Sequence, residues 1–117
     1  RLDYEHPSAN TSRAMAWAMM GEGKLGQAHD IYRKLVSGED AAPEDFLNAG
    51  YCQWIMGNTE AAVSMFVSYA KALSCEELVS DNISKEFAKD SRMLLSNGIK
   101  SIDITLMADV VEKNLRL

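Results

Sequence analysis

An all-α fold of antiparallel helix-turn-helix repeats, about six helices in all, is what this sequence predicts. Two observations carry the prediction. Apolar residues recur at spacings of three and four between Gly, Asn and Pro stops. In addition, Gly23 and Gly57, Ala28 and Ala62, and Tyr32 and Phe66 each stand 34 residues apart (57 − 23, 62 − 28, 66 − 32), a period at which helix-turn-helix units stack. At 117 residues the chain has the length of one domain and can bury one core without disulfides or a metal.

Residues 1–7 hold Pro7 and no periodicity, and read as a frayed start or the tail of a preceding element. Ser8 and Asn10 are candidate caps for a first helix to about Met20, with Ala14, Trp17 and Met20 as apolar positions beside Met15 and Met19. Gly21, Glu22 and Gly23 stop it. The second helix runs from about Lys24 to Val36 and puts Leu25, Ala28, Tyr32 and Leu35 on one face; Lys24, Gln27, Asp30, Arg33 and Lys34 form a solvated face. A polar linker, 37–42, ends at Pro43, which suits a first helical turn because that position has no intrahelical use for its N–H. Glu44 and Asp45 follow, where negative charge meets the positive end of the helix dipole.

That third helix, Pro43 to Met56, carries Phe46, Ala49, Gly50, Gln53 and Trp54. Asn58 is a candidate cap for the fourth, Thr59 to Leu73, whose buried stripe is Ala62, Val63, Phe66, Tyr69 and Ala70. From Ser74 the 34-residue register is lost: Ser91, Ser96 and Lys100 stand where the glycine, alanine and aromatic would recur. Asp81 can cap a fifth helix to about Ser96, with Ile83, Phe87, Met93, Leu94 and Leu95 as its apolar positions and Asn97-Gly98 as its stop. A last helix, about Asp103 to Leu115, aligns Ile104, Met107, Ala108, Val111 and Leu115.

These residues resemble the tetratricopeptide repeat (TPR) over about Ala9 to Leu73, as two units. Ala16 and Gly50 match the small residue of the first helix, Ala28 and Ala62 the alanine of the second, Tyr32 and Phe66 its aromatic, and Gly23 and Gly57 the turn. Ser12 and Met15, and then Phe46 and Ala49, depart from the tryptophan and leucine expected early in each unit. The resemblance implies a right-handed superhelix with repeats at 8–37 and 43–73 and a degenerate third or capping helix pair at 79–117, since an array must cover its last apolar face. With Arg1 as first residue and no leader, the domain is expected to be a piece of a longer protein.

The resemblance also implies a concave groove lined by the first helix of each unit: Arg13, Trp17 and Met20, then Leu47, Asn48, Tyr51, Trp54 and Ile55. Three aromatics there suit an apolar or extended peptide; the alternative is that the tail helices, or a preceding part of the chain, cover them. Arg13 and Asn48 match two positions of a carboxylate-binding clamp, but Trp17 replaces the expected asparagine, which leaves both as ordinary groove-wall residues.

Net charge is −5, with Lys and Arg scattered, which counts against nucleic-acid and anionic-membrane surfaces and favours a basic partner. No apolar run approaches the roughly eighteen residues of a spanning helix, so the domain is expected to be soluble. Cys52 and Cys75 form no CxxC pair and read as reduced thiols in a cytoplasmic setting. His6 and His29 lack metal-ligand spacing, with His29 on a predicted exposed face. Gly21, Gly23 and Gly26 lack the strand and lysine of a phosphate loop, and the acid pairs Glu39-Asp40 and Glu76-Glu77 sit in linkers. The expectation is a non-enzymatic adaptor or scaffold, with no cofactor and no metal, that binds a protein or peptide. Two alternatives are a structural or self-associating module, favoured by exposed Leu106 and Val110, and a chaperone-like repeat protein.

Overall fold

A computed structural model describes residues 8–73 and 80–115. Among these residues there are six α-helices and no strand: α1 Ala9–Gly21, α2 Leu25–Val36, α3 Pro43–Ile55, α4 Thr59–Ala72, α5 Ser80–Ser96 and α6 Ser101–Lys113. α1 and α3 begin 34 residues apart (43 − 9), as do α2 and α4 (59 − 25). The period of the sequence is therefore a period of the helices. His6, Cys75, Glu76, Glu77 and the side chain of Asp81 lie outside the described residues.

Local chemistry sets the boundaries. The Thr11 amide donates to Ser8 Oγ at 3.2 Å, which supplies one of the four amides a helix start leaves unpaired. Gly23 and Gly57, at φ +84° and +91°, turn the chain through the left-handed region that a Cβ resists. Asn58 stands at the N-cap of α4, but its side chain makes no capping bond there; its Nδ2 donates instead to Gln53 Oε1 of the preceding helix at 2.9 Å.

α3 and α4 share the largest helix contact, and α1 packs on α2 and α2 on α3. Gly50 is why α3 and α4 come so close: a Cβ there would stand 2.6 Å from Phe66 Cε1. Phe66 in turn meets Tyr51 and Phe87 edge-on, with ring centroids 6.0 and 6.4 Å away, a favoured aromatic geometry. Cys52 is buried beside Met20, Sγ to Sδ 3.4 Å, and burial pushes its thiol up to about 12.

Beyond α4 the order of packing changes. α6 packs on α4 and α5, while α5 and the residue after it reach back to α3 and α1 through two polar contacts. The Tyr51 hydroxyl donates to Asp90 Oδ2 at 2.7 Å, and Asn97 Nδ2 donates to the Met20 carbonyl at 3.1 Å.

Three expectations about faces are corrected. In α1 the buried residues are Ala16 and Met20, one turn apart, which leaves Ala14, Met15 and Trp17 on the exposed side. In α5 the buried stripe is Ile83, Phe87, Asp90 and Leu94, with Leu95 exposed, because spacings of four, three and four keep Asp90 in line with the apolar residues. His29 is half-buried, its Nε2 2.7 Å from Gln53 Nε2 of α3.

Candidate functional site

The side of α1 and α3 that faces α5 holds a cleft of about 510 Å³. α1 contributes Arg13, Ala14 and Trp17, and α2 contributes Tyr32. Glu44, Leu47 and Asn48 of α3 and Glu86, Lys89 and Asp90 of α5 complete the lining. Leu47 is 1% exposed and forms apolar floor, whereas Trp17 is 39% exposed and stands at the rim.

Arg13 is a fixed wall rather than a free cation. Its Nε and Nη2 donate to the two carboxylate oxygens of Asp45, both at 2.8 Å, and its remaining bonds go to Asn10 Oδ1 and the Asp40 carbonyl. This two-pronged pairing raises the Arg13 pKa, chiefly through the hydrogen bond to Asp45. Asp45 is fully buried and also accepts the Ala42 amide at 2.9 Å. One carboxylate thus ties the start of α3 to α1.

Asp90 is the second buried acid, 3% exposed. Burial pushes its pKa up to about 7, with Glu86 adding to the rise while the Tyr51 hydroxyl and Lys89 oppose it. Lys89 Nζ lies 3.3 Å from Glu86 Oε2, and Glu86 raises the lysine pKa in return. Desolvation raises Tyr51 well above its ordinary value, with Asp90 reinforcing the shift.

Tyr32 completes the site. Its residue is fully buried, and its hydroxyl, which makes no close hydrogen bond among the described residues, has the Asn48 side chain as a hydrogen-bonding neighbour. Burial raises its pKa, the charges of Cys52, Asp45 and Glu44 add to this, and the Asn48 side chain opposes it.

The eight residues expected on the groove do not share one open face. Arg13, Trp17, Leu47 and Asn48 meet at the cleft. Met20 and Tyr51 are wholly buried, because Met20 packs on Cys52 and α5 lies over Tyr51. Trp54 and Ile55 are partly buried against the core, with the Trp54 ring 6.2 Å from that of Phe66. Sequence reasoning missed Asp90, Glu86, Lys89, Glu44 and Tyr32 as cleft residues. For Asp90 a signal existed, since an acid stood in the register of an apolar stripe.

Among the described residues no three His, Cys, Asp or Glu side chains stand close enough together to hold a metal ion, and no helix is long and apolar enough to cross a membrane. Compared with protein-family models, curated proteins and solved structures, the chain matches none.

Proposed function

We propose that the chain is a protein-interaction module of the tetratricopeptide type, an adaptor or scaffold that holds a segment of a partner protein in the cleft between α1, α3 and α5. The shared 34-residue offset of the first four helices supports the repeat reading. The observation that carries the binding reading is the half-exposed indole of Trp17 beside a cleft walled by polar side chains. An aromatic at the rim gives a large contact area at small entropic cost, and polar walls fix register.

Trp17→Ala tests it. Trp17 is outside the buried core, so the fold is expected to persist, and partners captured by the wild-type chain are expected to fall by about tenfold, the effect of losing roughly 1.4 kcal/mol at a central aromatic contact. Equal capture by the folded variant would sink the reading. A second reading, self-association, is favoured by Ile102 and Leu106 of α6, one turn apart and 61% and 47% exposed.

A further inference from the structure

We propose that α5 is a pH-sensitive wall of the cleft: the Asp90 carboxyl ties the helix to Tyr51 of α3, and loss of its proton loosens the seat. The inference concerns how the wall is held and does not depend on what the cleft binds.

Asp90 stands in line with Ile83, Phe87 and Leu94 on the buried stripe of α5, so its carboxyl lies in a helix interface rather than in water. Its Oδ2 accepts the hydroxyl of buried Tyr51 at 2.7 Å. One turn earlier, Glu86 hydrogen-bonds to Asp90. Two carboxyl groups that share a hydrogen bond need a proton between them, since two carboxylates repel and neither can donate. With the proton present, Asp90 accepts from Tyr51 and shares its hydrogen with Glu86. Without it, a nearly dry interface carries an added negative charge beside a second acid.

The charged and titratable groups nearby do not resolve that conflict. On α5, Lys89 is largely exposed and already paired with Glu86. α3 brings Tyr51, which desolvation keeps protonated, and the acid Glu44 at the cleft. Arg13 of α1 is engaged by both oxygens of Asp45. Tyr69 of α4 lies near Tyr51, and α2 brings Tyr32 to the cleft. The acids Asp109 and Glu112 of α6 meet α5 along a separate groove, beside Ser84 and Ser91. The apolar grip on α5, with Phe87 edge-on to Tyr51 and Phe66 at 5.9 and 6.4 Å, does not titrate, so the seat weakens rather than vanishes.

Seated, Asp90 keeps its proton up to about pH 7, first through burial and then through Glu86. Released into water, it becomes an ordinary carboxyl that ionises near pH 3.9. Seating therefore takes up a proton between those values. It weakens as pH rises across them, by up to about tenfold per pH unit, and is level above about pH 7.

Hydrogen exchange of the whole chain tests this, with rates corrected for the intrinsic effect of pH. A 17-residue helix freed of its partners is marginal in water, so the α5 amides exchange when the seat opens. From pH 5 to pH 8 their protection is expected to fall by about 30- to 100-fold. At pH 8 it is expected to lie at least about tenfold below that of the α3 and α4 amides, whose helices share the largest contact. Asp90→Asn keeps a neutral acceptor for Tyr51 and is expected to abolish the pH dependence of α5. Glu86→Gln, at a part-exposed position, is expected to shrink that dependence at least about threefold, and Glu60→Gln, on the exposed start of α4, to leave it unchanged.

Equal α5 protection at the two pH values, or a pH dependence that survives in Asp90→Asn, overturns the proposal. So does exchange of α5 at the same level as α3 and α4, because the chain then opens only as a whole. Should Asp90→Asn fail to fold, Glu86→Gln decides, and an unaltered pH dependence there overturns the proposal equally. The functional reading stands or falls separately: partner capture lost in Trp17→Ala, beside an α5 indifferent to pH, keeps the interaction module and removes the switch.

Discussion

Asp90 accepts the Tyr51 hydroxyl and has Glu86 one turn before it, so losing its proton adds a negative charge to a nearly dry site. An ordinary aspartate ionises near pH 3.9, whereas burial has moved this one to about 7. Between those values the folded chain keeps a proton that the unfolded chain has released. Asp90 therefore favours folding less and less as pH rises from about 4 to about 7, and its effect is level above that. Asp90→Asn keeps an acceptor for Tyr51 and removes the charge. It is expected to stabilise the chain by about 1–3 kcal/mol at pH 8 and by less at pH 5; urea unfolding at the two pH values checks this, and an equal gain at both would refute it. Residue by residue, the sequence is half legible. The spacing 83, 87, 90, 94 marks a stripe, but an acid within it looks like surface until α5 is seated. Local spacing makes Asp45 a dipole partner, yet its main partner, Arg13, lies 32 positions away, beyond the reach of such spacing.

Among the elements, the first four helices are legible nearly to the residue, because glycine and proline stops and three-four periodicity are local signals. Their faces are less so: periodicity puts Trp17 on the apolar side of α1, but Ala16 and Met20 take the contact. The small residue of α3 is both legible and structural. Gly50→Ala adds a Cβ that would stand 2.6 Å from the ring of buried Phe66. Overpacking is expected to cost about 1–3 kcal/mol, outweighing a helix-propensity gain of at most about 1. Gly26 of α2 is the natural contrast, since a Cβ there meets nothing within 4 Å, and Gly26→Ala is expected to be neutral or stabilising. Denaturation midpoints that move alike would contradict the α3–α4 account.

For the whole molecule, the 34-residue offset anticipates two helix pairs, and the loss of register after Ser74 anticipates that the tail differs. Where the tail goes is not readable, because α5 is placed by Tyr51 and Met20, far away in sequence. The exposed apolar surface on α6 is modest: Ile102 and Leu106 are open, but Val110, expected to be exposed, is half-buried. A stable specific interface buries roughly 1,200 Å² or more in total, far more than two side chains provide. Sedimentation is therefore expected to find a monomer at micromolar concentration, and a mass that grows with concentration would favour self-association instead.

The Asn97 bond to the Met20 carbonyl joins positions 77 residues apart. Helix pairs adjacent in the chain can form early, but this clasp requires most of the polypeptide to be gathered first, an entropic cost met before the contact can offset it. By that measure the contact between α5 and α1 is expected to form late as the chain folds, and the cleft that α5 walls with it.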